Sequence, residues 1–377
     1  MKHLFVARAI YPAEVGGPSN TIFQMAKGLP DATIVSSDRG MSDALKKKFG
    51  IKVNKSNHIE GVEMWVMKSL YQQPLSLYMA IWLYKNIKNY QVVHLSSFFA
   101  PLSVFAAIIC LLFNIKFTLA PRGELYGPAL KIKSRMKRLL MYCYCSLYKA
   151  ASAFIVTSIE EEESLKSITK LKGKKILITP NSYDFTDFPV IDSNKDSFIF
   201  LGRIDPIKNL ELMVEAYALY KNKTPTPAVL RIGGTGEYNY VKSLKQLVER
   251  LGLSSNIIFH GHITGNNKMN FLNRGIALLL LSKSENFGNV VVEALAQGTP
   301  VIVSKGTPWK IVEEENVGHY VNYDIDEISN TLIECYNFNN KQDLSIRCSA
   351  FARRCFSSDK VMTQFNLNIN TLLKEDK

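Results

Sequence analysis

Short apolar runs alternate with longer segments of helical periodicity along all 377 residues, and this alternation is what most constrains the fold. Runs of this length are typical of buried strands. Six of them lie in each half of the chain: Leu4–Ala7, Thr33–Ser36, Met64–Met67, Val92–Leu95, Phe117–Leu119, Phe154–Thr157, Phe198–Leu201, Val229–Ile232, Ile257–Phe259, Ala277–Leu281, Val301–Val303 and His319–Val321. Segments with helical spacing lie between most of the runs: Asn20–Gly28, Leu75–Lys88, Leu102–Phe113, Ala129–Lys149, Glu160–Ile168, Leu210–Tyr220, Val241–Leu251, Met269–Asn273, Val290–Ala296 and Glu327–Tyr336. This pattern predicts an α/β fold in which doubly wound parallel sheets carry helices on both faces.

A segment without helical periodicity separates the two halves. Residues Asn181–Asp196 are rich in Asp, Pro, Ser and Asn, which is typical of a linker. The length suits two domains of about 100–200 residues each. We therefore predict two doubly wound domains, residues 1–185 and 186–358. Because ligands of such sheets bind outside the carboxyl ends of the strands, we expect the site in the cleft between the domains.

The net charge is concentrated in the first half. The chain has 46 Lys and Arg against 33 Asp and Glu, a net charge of +13. Up to Val190 the two counts are 25 and 13, and beyond it they are 21 and 20. The first half is therefore suited to an anionic partner. A hydrophobic content of 47% excludes a mainly disordered or fibrous protein.

Cysteine spacing and apolar segments predict a cytosolic chain. The six cysteines show no C-x-x-C spacing and are expected to be reduced thiols. Near the N-terminus, Leu4–Ala7 is followed by Arg8 and is too short for the apolar region of a signal peptide. The longest apolar stretch, Phe98–Phe113, contains Pro101 and falls short of the ~20 residues that a bilayer span needs. We expect this stretch to form a buried helix.

Two carboxylates bracket a glycine turn directly after the predicted strand Ala277–Leu281. The chain continues as Ser284-Glu285-Asn286-Phe287-Gly288-Asn289, and Glu293 lies in the predicted helix that follows. A helix N-terminus beside two carboxylates offers N–H groups and a positive dipole end to a sugar or phosphate oxygen. The alternative is a solvated loop acid and an unrelated acid on a helix surface.

Two cations follow the predicted strand Phe198–Leu201. Arg203 comes directly after Gly202, and Lys208 opens the next helical segment. Cations at such a position can neutralise a diphosphate without a metal, although ordinary surface charge is the alternative. Glycine turns follow two other strands, at Gly233–Gly236 and at Gly16-Gly17. Glycine lets backbone approach a ligand closely, but a tight turn accounts for both turns equally well.

Together these motifs resemble the retaining glycosyltransferases of family 4. The likeness covers nearly the whole chain and is most specific in the C-terminal half, where the motifs occur in the order typical of that family. The segment Ala120–Leu125 is similar to a variant in members that assemble bacterial polysaccharides. The resemblance implies the GT-B fold, two Rossmann-like domains that face each other across a cleft. Residues 1–185 would bind the acceptor and 186–358 the donor, and the helix expected in 359–377 would pack back on the first domain.

The resemblance also implies a role for each motif. Arg203 and Lys208 would hold the donor diphosphate and stabilise the negative charge that grows on it as the sugar leaves. Glu285 would contact hydroxyls of the transferred sugar. The catalytic residues implied by the resemblance are therefore Glu285, Arg203 and Lys208. Backbone N–H groups around Phe287 would help, and the N-terminal glycine loop would close over the phosphates. The donor-binding residues implied in this way are Glu293, which would accept hydrogen bonds from the ribose, with Asn286, Phe287, Gly288, Gly234, Gly236, Gly16 and Gly17.

The acceptor side departs from the family pattern. Many relatives carry a His at the end of the fifth strand, where this chain has Thr118-Leu119-Ala120-Pro121-Arg122. His94, after the fourth strand, is the nearest candidate, and a hydrogen-bonded structural His is the alternative. Arg122 and Glu124 are further acceptor-side candidates. Since the leaving phosphate itself can deprotonate the acceptor in retaining members of this fold, no protein base is required.

No metal and no cofactor are predicted besides the nucleoside-diphosphate sugar, which is a substrate. Asp324-Ile325-Asp326 has the spacing that another glycosyltransferase fold uses for a metal. Here it precedes the segment Glu327–Tyr336, and Asp326 is expected to cap that helix. The six histidines show no metal-ligand spacing.

A basic segment in the first half predicts a peripheral membrane contact. Five cations precede a run rich in Leu and Tyr: Lys131, Lys133, Arg135, Lys137 and Arg138. Cations meet anionic headgroups and aromatic residues sit at the interface. A solvated helix face is the alternative. Nucleic acid is not expected as a partner, since the chain shows no nucleic-acid module.

The sequence therefore predicts a metal-independent, retaining hexosyltransferase with a UDP-sugar favoured over a GDP-sugar as donor. The acceptor would be a lipid-linked or polysaccharide glycan of the bacterial surface, such as lipopolysaccharide, O-antigen or capsule. The enzyme would be cytoplasmic and peripheral at the inner face of the membrane. A nucleotide-sugar epimerase or hydrolase of the same fold is one alternative, and a non-catalytic, membrane-docked nucleotide-sugar-binding protein is another.

Overall fold

The structure is a computed structural model that describes residues 1–9, 17–69, 76–125, 135–186, 188 and 194–375. The chain divides into two compact units. The first comprises Met1–Asp184 and Ser358–Lys377, and the second comprises Phe185–Ser357. Each unit is built around its own sheet.

Strands and helices alternate in both units. The strands are β1 His3–Val6, β2 Ala32–Ser37, β3 Lys55–Ile59, β4 Val62–Met67, β5 Val92–Ser96, β6 Lys116–Ala120, β7 Ala153–Val156, β8 Ile176–Ile178, β9 Ser197–Leu201, β10 Val229–Gly233, β11 Ile257–Gly261, β12 Gly275–Leu280, β13 Val301–Ser304 and β14 Gly318–Val321. The α-helices of the described residues are α1 Gly17–Lys27, α2 Asp43–Lys48, α3 Leu77–Asn86, α4 Pro101–Leu112, α5 Arg135–Tyr148, α6 Ile159–Lys166, α7 Leu210–Lys223, α8 Tyr238–Arg250, α9 Gly265–Asn273, α10 Asn289–Ala296, α11 Ile311–Glu314, α12 Ile325–Asn337, α13 Lys341–Phe356 and α14 Ser358–Glu375. Short 3-10 turns occur at Ile87–Asn89, Thr169–Leu171 and Pro206–Lys208.

The sheet of the first unit has the strand order β3-β4-β2-β1-β5-β6-β7-β8. Its neighbouring strands are parallel except β3, which pairs with β4 in antiparallel register. Helices cover both faces. On one face α3, α4 and α5 bury residues such as Leu83, Ala106 and Tyr148, and on the other α1 and α14 bury Phe23 and Phe365. The antiparallel strand β3 was not among the predicted strands, and it makes this otherwise parallel sheet mixed.

The sheet of the second unit has the order β11-β10-β9-β12-β13-β14, and its strands are all parallel. The chain runs outward from β9 in one direction and from β12 in the other, so the order reverses between these two strands. Helices α7 and α12 bury Tyr217 and Leu332 in the core of this sheet. The prediction of two α/β units with doubly wound sheets is confirmed.

The apolar stretch at Phe98–Phe113 forms α4, a helix of twelve residues. Only one side of it is buried, because Ile108, Leu111 and Leu112 are exposed on the other side. The expected helix is present, but it is buried on one side only. Among the residues that the structure describes, no helix has the length and apolar character to cross a bilayer.

Candidate functional site

The candidate site lies at the carboxyl edge of the second sheet, where the strand order reverses between β9 and β12. These strands are parallel neighbours in space, although β10 and β11 lie between them in the chain. Their following loops, residues 202–209 and 281–288, therefore leave the sheet side by side. Ligands of doubly wound sheets bind at such a switch point. The motifs with Arg203, Lys208 and Glu285 are all in these two loops.

Lys208 and Glu285 form an ion pair between the two loops. Lys208 ends the 3-10 turn Pro206–Lys208, which Asp205 caps by accepting a hydrogen bond from the Ile207 N–H at 3.1 Å. The Glu285 carboxylate also accepts from the Ser282 hydroxyl at 3.2 Å. Only 17% and 16% of the Lys208 and Glu285 side chains are exposed. Glu285 is therefore not a solvated loop acid.

Arg203 lies in the same loop as Lys208 but in a different environment. Its side chain is 72% exposed, and its Nη2 lies 3.3 Å from Oδ2 of Asp205. The two cations thus lie on one loop after β9. Lys208 is mostly buried in an ion pair, and Arg203 faces solvent. Exposure leaves the Arg203 guanidinium accessible to an anionic ligand. The same exposure is also typical of ordinary surface charge, so the role of Arg203 stays a prediction.

Glu293 is buried in the middle of α10 and has a partner that was not predicted from the sequence. Its Oε1 lies 2.6 Å from Nζ of Lys268, which comes from α9. The Glu293 side chain is 10% exposed, so it is not an acid on a helix surface. Each of the two carboxylates of the motif is therefore neutralised by one lysine from a different element. The pairing of Glu293 depends on how α9 packs against α10, and no local pattern around Lys268 signals it.

The turn between the carboxylates is fixed by aromatic packing. Phe287 is buried against Trp309, with ring centroids 5.3 Å apart, and the indole N–H of Trp309 donates to the Phe287 carbonyl. Gly288 has φ +80° and stands at the N-cap of α10, where no side chain caps the helix. The positive φ favours glycine, and a Cβ at Gly288 would lie 3.2 Å from Cγ of Glu285, so a larger residue would also require its neighbours to shift by a few tenths of an ångström. Asn286 lies between Glu285 and this pair, and Trp309 was not among the predicted residues.

The glycine turn after β10 has a structural cause of its own. Gly202 N–H donates to the Gly233 carbonyl at 3.0 Å, and Ile204 N–H donates to the Thr235 carbonyl at 2.8 Å. A Cβ at Gly234 would overlap the Gly202 carbonyl, and Gly234 has φ +134°. A Cβ at Gly236 would likewise overlap the carbonyl of residue 204. Close approach of two loops therefore requires these glycines whether or not a ligand binds.

The N-terminal glycines are only partly described. Gly16 lies outside the described residues, and Gly17 is the first residue of α1. The proposed closure of this loop over phosphates stays a prediction.

His94 lies inside β5 and not after a strand, which corrects its predicted position. It is buried, with Nε2 3.0 Å from Nδ1 of His3 and Nδ1 2.8 Å from the Thr118 hydroxyl. Burial lowers the pKa of His94 well below its usual value, and His3 lowers it further. These contacts are those expected of a hydrogen-bonded histidine with a structural role, which was the alternative to a role in acceptor binding.

Glu124 and Arg122 lie in the loop after β6. The Glu124 carboxylate accepts hydrogen bonds from the Ser97 hydroxyl at 2.6 Å and from the Phe99 N–H at 2.9 Å. Arg122 has φ +55°, and its Nη2 lies 3.5 Å from Sδ of Met25. Burial lowers the pKa of the Arg122 guanidinium. Glu124 joins the loop after β6 to the loop after β5, and Arg122 contacts helix α1. Contact of either side chain with an acceptor stays a prediction.

The Asp-x-Asp segment belongs to a helix cap. Asp324, and not Asp326 as predicted, caps α12 by accepting from the Glu327 N–H at 2.8 Å. Asp326 lies 3.7 Å from Nζ of Lys223. Within the described part of the chain, no three His, Cys, Asp or Glu residues are grouped to hold a metal ion.

Solved structures with the same architecture define the class of the fold. An Anabaena protein, HepE, solved in complex with UDP and glucose, superposes with a TM-score of 0.76 at 19% identity, covering 98% of this chain and 100% of that one. Such neighbours are GT-B glycosyltransferases, so this chain has the GT-B fold. Two family models match consecutive parts of it: "Glycosyltransferase Family 4" over residues 15–187 and "Glycosyl transferases group 1" over residues 184–352. The chain belongs to glycosyltransferase family 4.

Two relatives illustrate the breadth of the family. Mannosylfructose-phosphate synthase of Agrobacterium fabrum is 26% identical over 175 residues, which is 42% of this chain and 38% of that protein. The O-antigen chain mannosyltransferase RfbU of Salmonella typhimurium is 26% identical over 156 residues, 41% of this chain and 43% of that protein. The matches thus span less than half the length of each relative.

Proposed function

We propose that this glycosyltransferase moves a sugar from a nucleoside-diphosphate donor to an acceptor with retention of anomeric configuration and without a metal. The observation that carries the proposal is the pair of lysine-bound carboxylates, Lys208 with Glu285 and Lys268 with Glu293, at the switch point of the second sheet. A site of this kind offers fixed cations to a diphosphate and fixed carboxylates to hydroxyl groups.

The donor would bind with its diphosphate at Lys208 and Arg203. As the sugar leaves, negative charge grows on the diphosphate oxygens, and cations already in place stabilise it without reorganisation. Glu285 would accept hydrogen bonds from hydroxyls of the sugar, and Glu293 from those of the ribose. The N-terminus of α10 adds N–H groups and the positive end of a helix dipole beside the same loop.

Proton transfer needs no protein base in this proposal. The leaving phosphate oxygen gains basicity as the glycosidic bond breaks, and it can take the proton of the acceptor hydroxyl on the same face of the sugar. Attack and departure on one face give retention. The substrate diphosphate therefore serves as the base, and the cations that hold it also set its position.

UDP is our preferred donor nucleotide, with GDP second, and HepE in complex with UDP supports this choice. We propose a lipid-linked or polysaccharide acceptor of the bacterial surface, which the relative RfbU, an O-antigen chain mannosyltransferase, supports. The first unit carries 28 Lys and Arg against 15 Asp and Glu, so its net charge of +13 suits an anionic acceptor and an anionic membrane surface. We therefore propose a peripheral position at the cytoplasmic face of the membrane.

A thermal-shift screen of the purified protein against UDP, GDP, ADP, TDP and CDP in EDTA tests the nucleotide site. A ligand that binds only the folded state raises the melting temperature by mass action. We expect one nucleotide to raise it clearly without metal. If none does, or if the shift needs a divalent cation, the proposed cationic diphosphate site is wrong.

Turnover of the donor separates transfer from the two other activities of the same fold. An epimerase or hydrolase consumes the nucleotide sugar with no acceptor present. A binding protein shows the thermal shift and no turnover with any acceptor. We expect nucleoside diphosphate release that depends on an acceptor, and NMR of the product should show the anomeric configuration of the donor.

A further inference from the structure

Two neighbouring helices of the first unit expose apolar rows on the side away from their core. Helices α3 and α4 pack side by side on one face of the sheet and bury their inner sides in one cluster. The outer sides carry apolar residues at helical spacing, a single stripe on each helix. We call them the apolar helical face: Leu77, Ile81 and Tyr84 of α3 with Ile108, Leu111 and Leu112 of α4. The exposure of Leu112 reaches 70%.

The two stripes adjoin. The ring centroids of Tyr84 and Phe113 lie 5.4 Å apart, and Phe113 directly follows the last residue of α4. Helix α5 packs against the other side of α4 and exposes Leu139, Leu140 and Tyr142. In all, 10 of the 21 large apolar side chains that the described residues expose lie on these three helices. Single exposed apolar residues are common on soluble proteins, but a concentration of this kind marks a surface that docks on something.

The part of the sequence that contains these helices is strongly basic. From Met64 to Ile159 the sequence has eleven Lys and Arg but only one acidic residue, Glu124. Helices α3, α4 and α5 contain no Asp or Glu. Lys85 in the last turn of α3 and Lys88 in the 3-10 turn after it are both exposed. Nζ of Lys88 lies 4.2 Å from the centre of the Phe113 ring. The second unit, by contrast, has 18 basic and 18 acidic residues.

We propose that the apolar helical face docks on a membrane surface that contains anionic phospholipid. The inference rests on the peripheral association proposed above and names its surface and its lipid class. The leucine and isoleucine side chains enter the boundary between headgroups and acyl chains, and Tyr84 and the lysines lie at headgroup level. A second copy of the same face is a poor partner, because two cationic rims would face each other.

Co-sedimentation of the whole chain with lipid vesicles tests the proposal. We expect binding to vesicles of phosphatidylcholine with phosphatidylglycerol, and much weaker binding to phosphatidylcholine alone. The double variant I81E/L112E removes two inserted side chains and adds two negative charges, so its partition to anionic vesicles should fall at least about tenfold. The matched control is Ile346→Glu on α13, a position 57% exposed in the neutral second unit, which should bind as the parent does.

A measurement of nucleotide binding distinguishes a failure of membrane docking from a failure of the proposed transferase activity. The substituted residues are exposed, so the variant should retain both its melting temperature and the thermal shift with nucleoside diphosphate. If the parent chain fails to bind anionic vesicles but still shows that shift, the docking proposal and the peripheral position are overturned, while the nucleotide site and the proposed transfer stand.

Three results would overturn the proposal: a parent chain that does not bind anionic vesicles, a double variant that binds them like the parent, or equal binding to both kinds of vesicle. A fourth is a parent dimer in light scattering that the double variant converts to a monomer. That outcome would make the apolar helical face a protein interface.

Discussion

Lys208 and Glu285 form an ion pair across the point where the strand order of the second sheet reverses. Each side chain comes from a loop after a different strand, and each is largely withdrawn from solvent. A pair in this position neutralises both groups. A diphosphate at Lys208 would compete for the ammonium, and the carboxylate would then be available to a sugar hydroxyl.

Glu285 tests the sugar contact. We expect Glu285→Gln to reduce the rate of transfer about 100-fold or more, because a neutral amide replaces the carboxylate charge beside the reacting sugar. Binding of the nucleoside diphosphate should be largely retained. Initial rates and isothermal titration measure the two effects. Glu314→Gln, an exposed acid of the same unit, is the control, and full transfer by the Glu285 variant would show that this assignment is wrong.

Substitutions of Arg203 and Lys208 should differ in their effect on the melting temperature. Arg203→Ala should leave the melting temperature unchanged, since the side chain is exposed, and should weaken nucleoside diphosphate binding about tenfold or more. Lys208→Met should weaken binding similarly and also lower the melting temperature, because it leaves Glu285 unpaired.

A double-mutant cycle tests whether the loss of stability in the Lys208 variant comes from the unpaired Glu285. The variant K208M/E285Q should recover most of the melting temperature that K208M loses, without recovering affinity for the diphosphate. Affinity for the nucleoside without phosphates should be unchanged in every variant. A loss of nucleoside affinity equal to that for the diphosphate would contradict a phosphate contact.

The fold was largely predictable because both sheets are built from continuous apolar runs that are buried on two faces. Strand β3 escaped prediction because its sequence, Lys-Ser-Asn-His-Ile, has no such run. It forms by pairing with β4 through a turn at Glu60 and Gly61, whose φ angles are +46° and +82°. Turns of this conformation favour tight antiparallel hairpins.

The site was predictable as far as it depends on strand order. Residues that follow β9 and β12 meet because parallel strands end at the same edge of the sheet. Each motif directly follows a predicted strand in the sequence, so their meeting at this edge could be predicted. The contact of Lys268 with Glu293 and that of Trp309 with Phe287 depend on packing between elements far apart in the chain. His94 belongs to the predicted run Val92–Leu95, so its place inside a strand was predictable, whereas its contact with His3, 91 positions away, was not.

Glu293 tests the ribose contact. We expect Glu293→Gln to reduce the preference for a ribonucleotide over its 2′-deoxy analogue, because amide nitrogen replaces one acceptor oxygen. Lys268→Met should lower the melting temperature, since it leaves a buried carboxylate unpaired, and K268M/E293Q should recover it. Titration of UDP and 2′-deoxy-UDP measures the preference. An unchanged preference in the Glu293 variant would contradict the ribose role.

The buried pair His3 and His94 predicts how stability depends on pH. Burial, helped by the N-terminal ammonium and opposed by Asp31, lowers the pKa of His3 from 6.5 to about 4, and the pKa of His94 is lowered in the same direction. The folded chain thus keeps both rings neutral at a pH where the unfolded chain has protonated them. Their stabilising contribution is complete above pH 6.5 and is lost as the pH falls from 6.5 towards 4.

The free energy of unfolding should therefore decrease in this window by up to about 1.4 kcal/mol per pH unit for each buried histidine. Urea unfolding between pH 7.5 and pH 4.5 measures the slope. His3→Gln removes one of the two groups, so its slope should be shallower than that of the parent whatever its stability at neutral pH. His58→Gln, at an exposed position on β3, is the control and should keep the parent slope. If His3→Gln keeps it as well, the buried pair does not govern the loss of stability in acid.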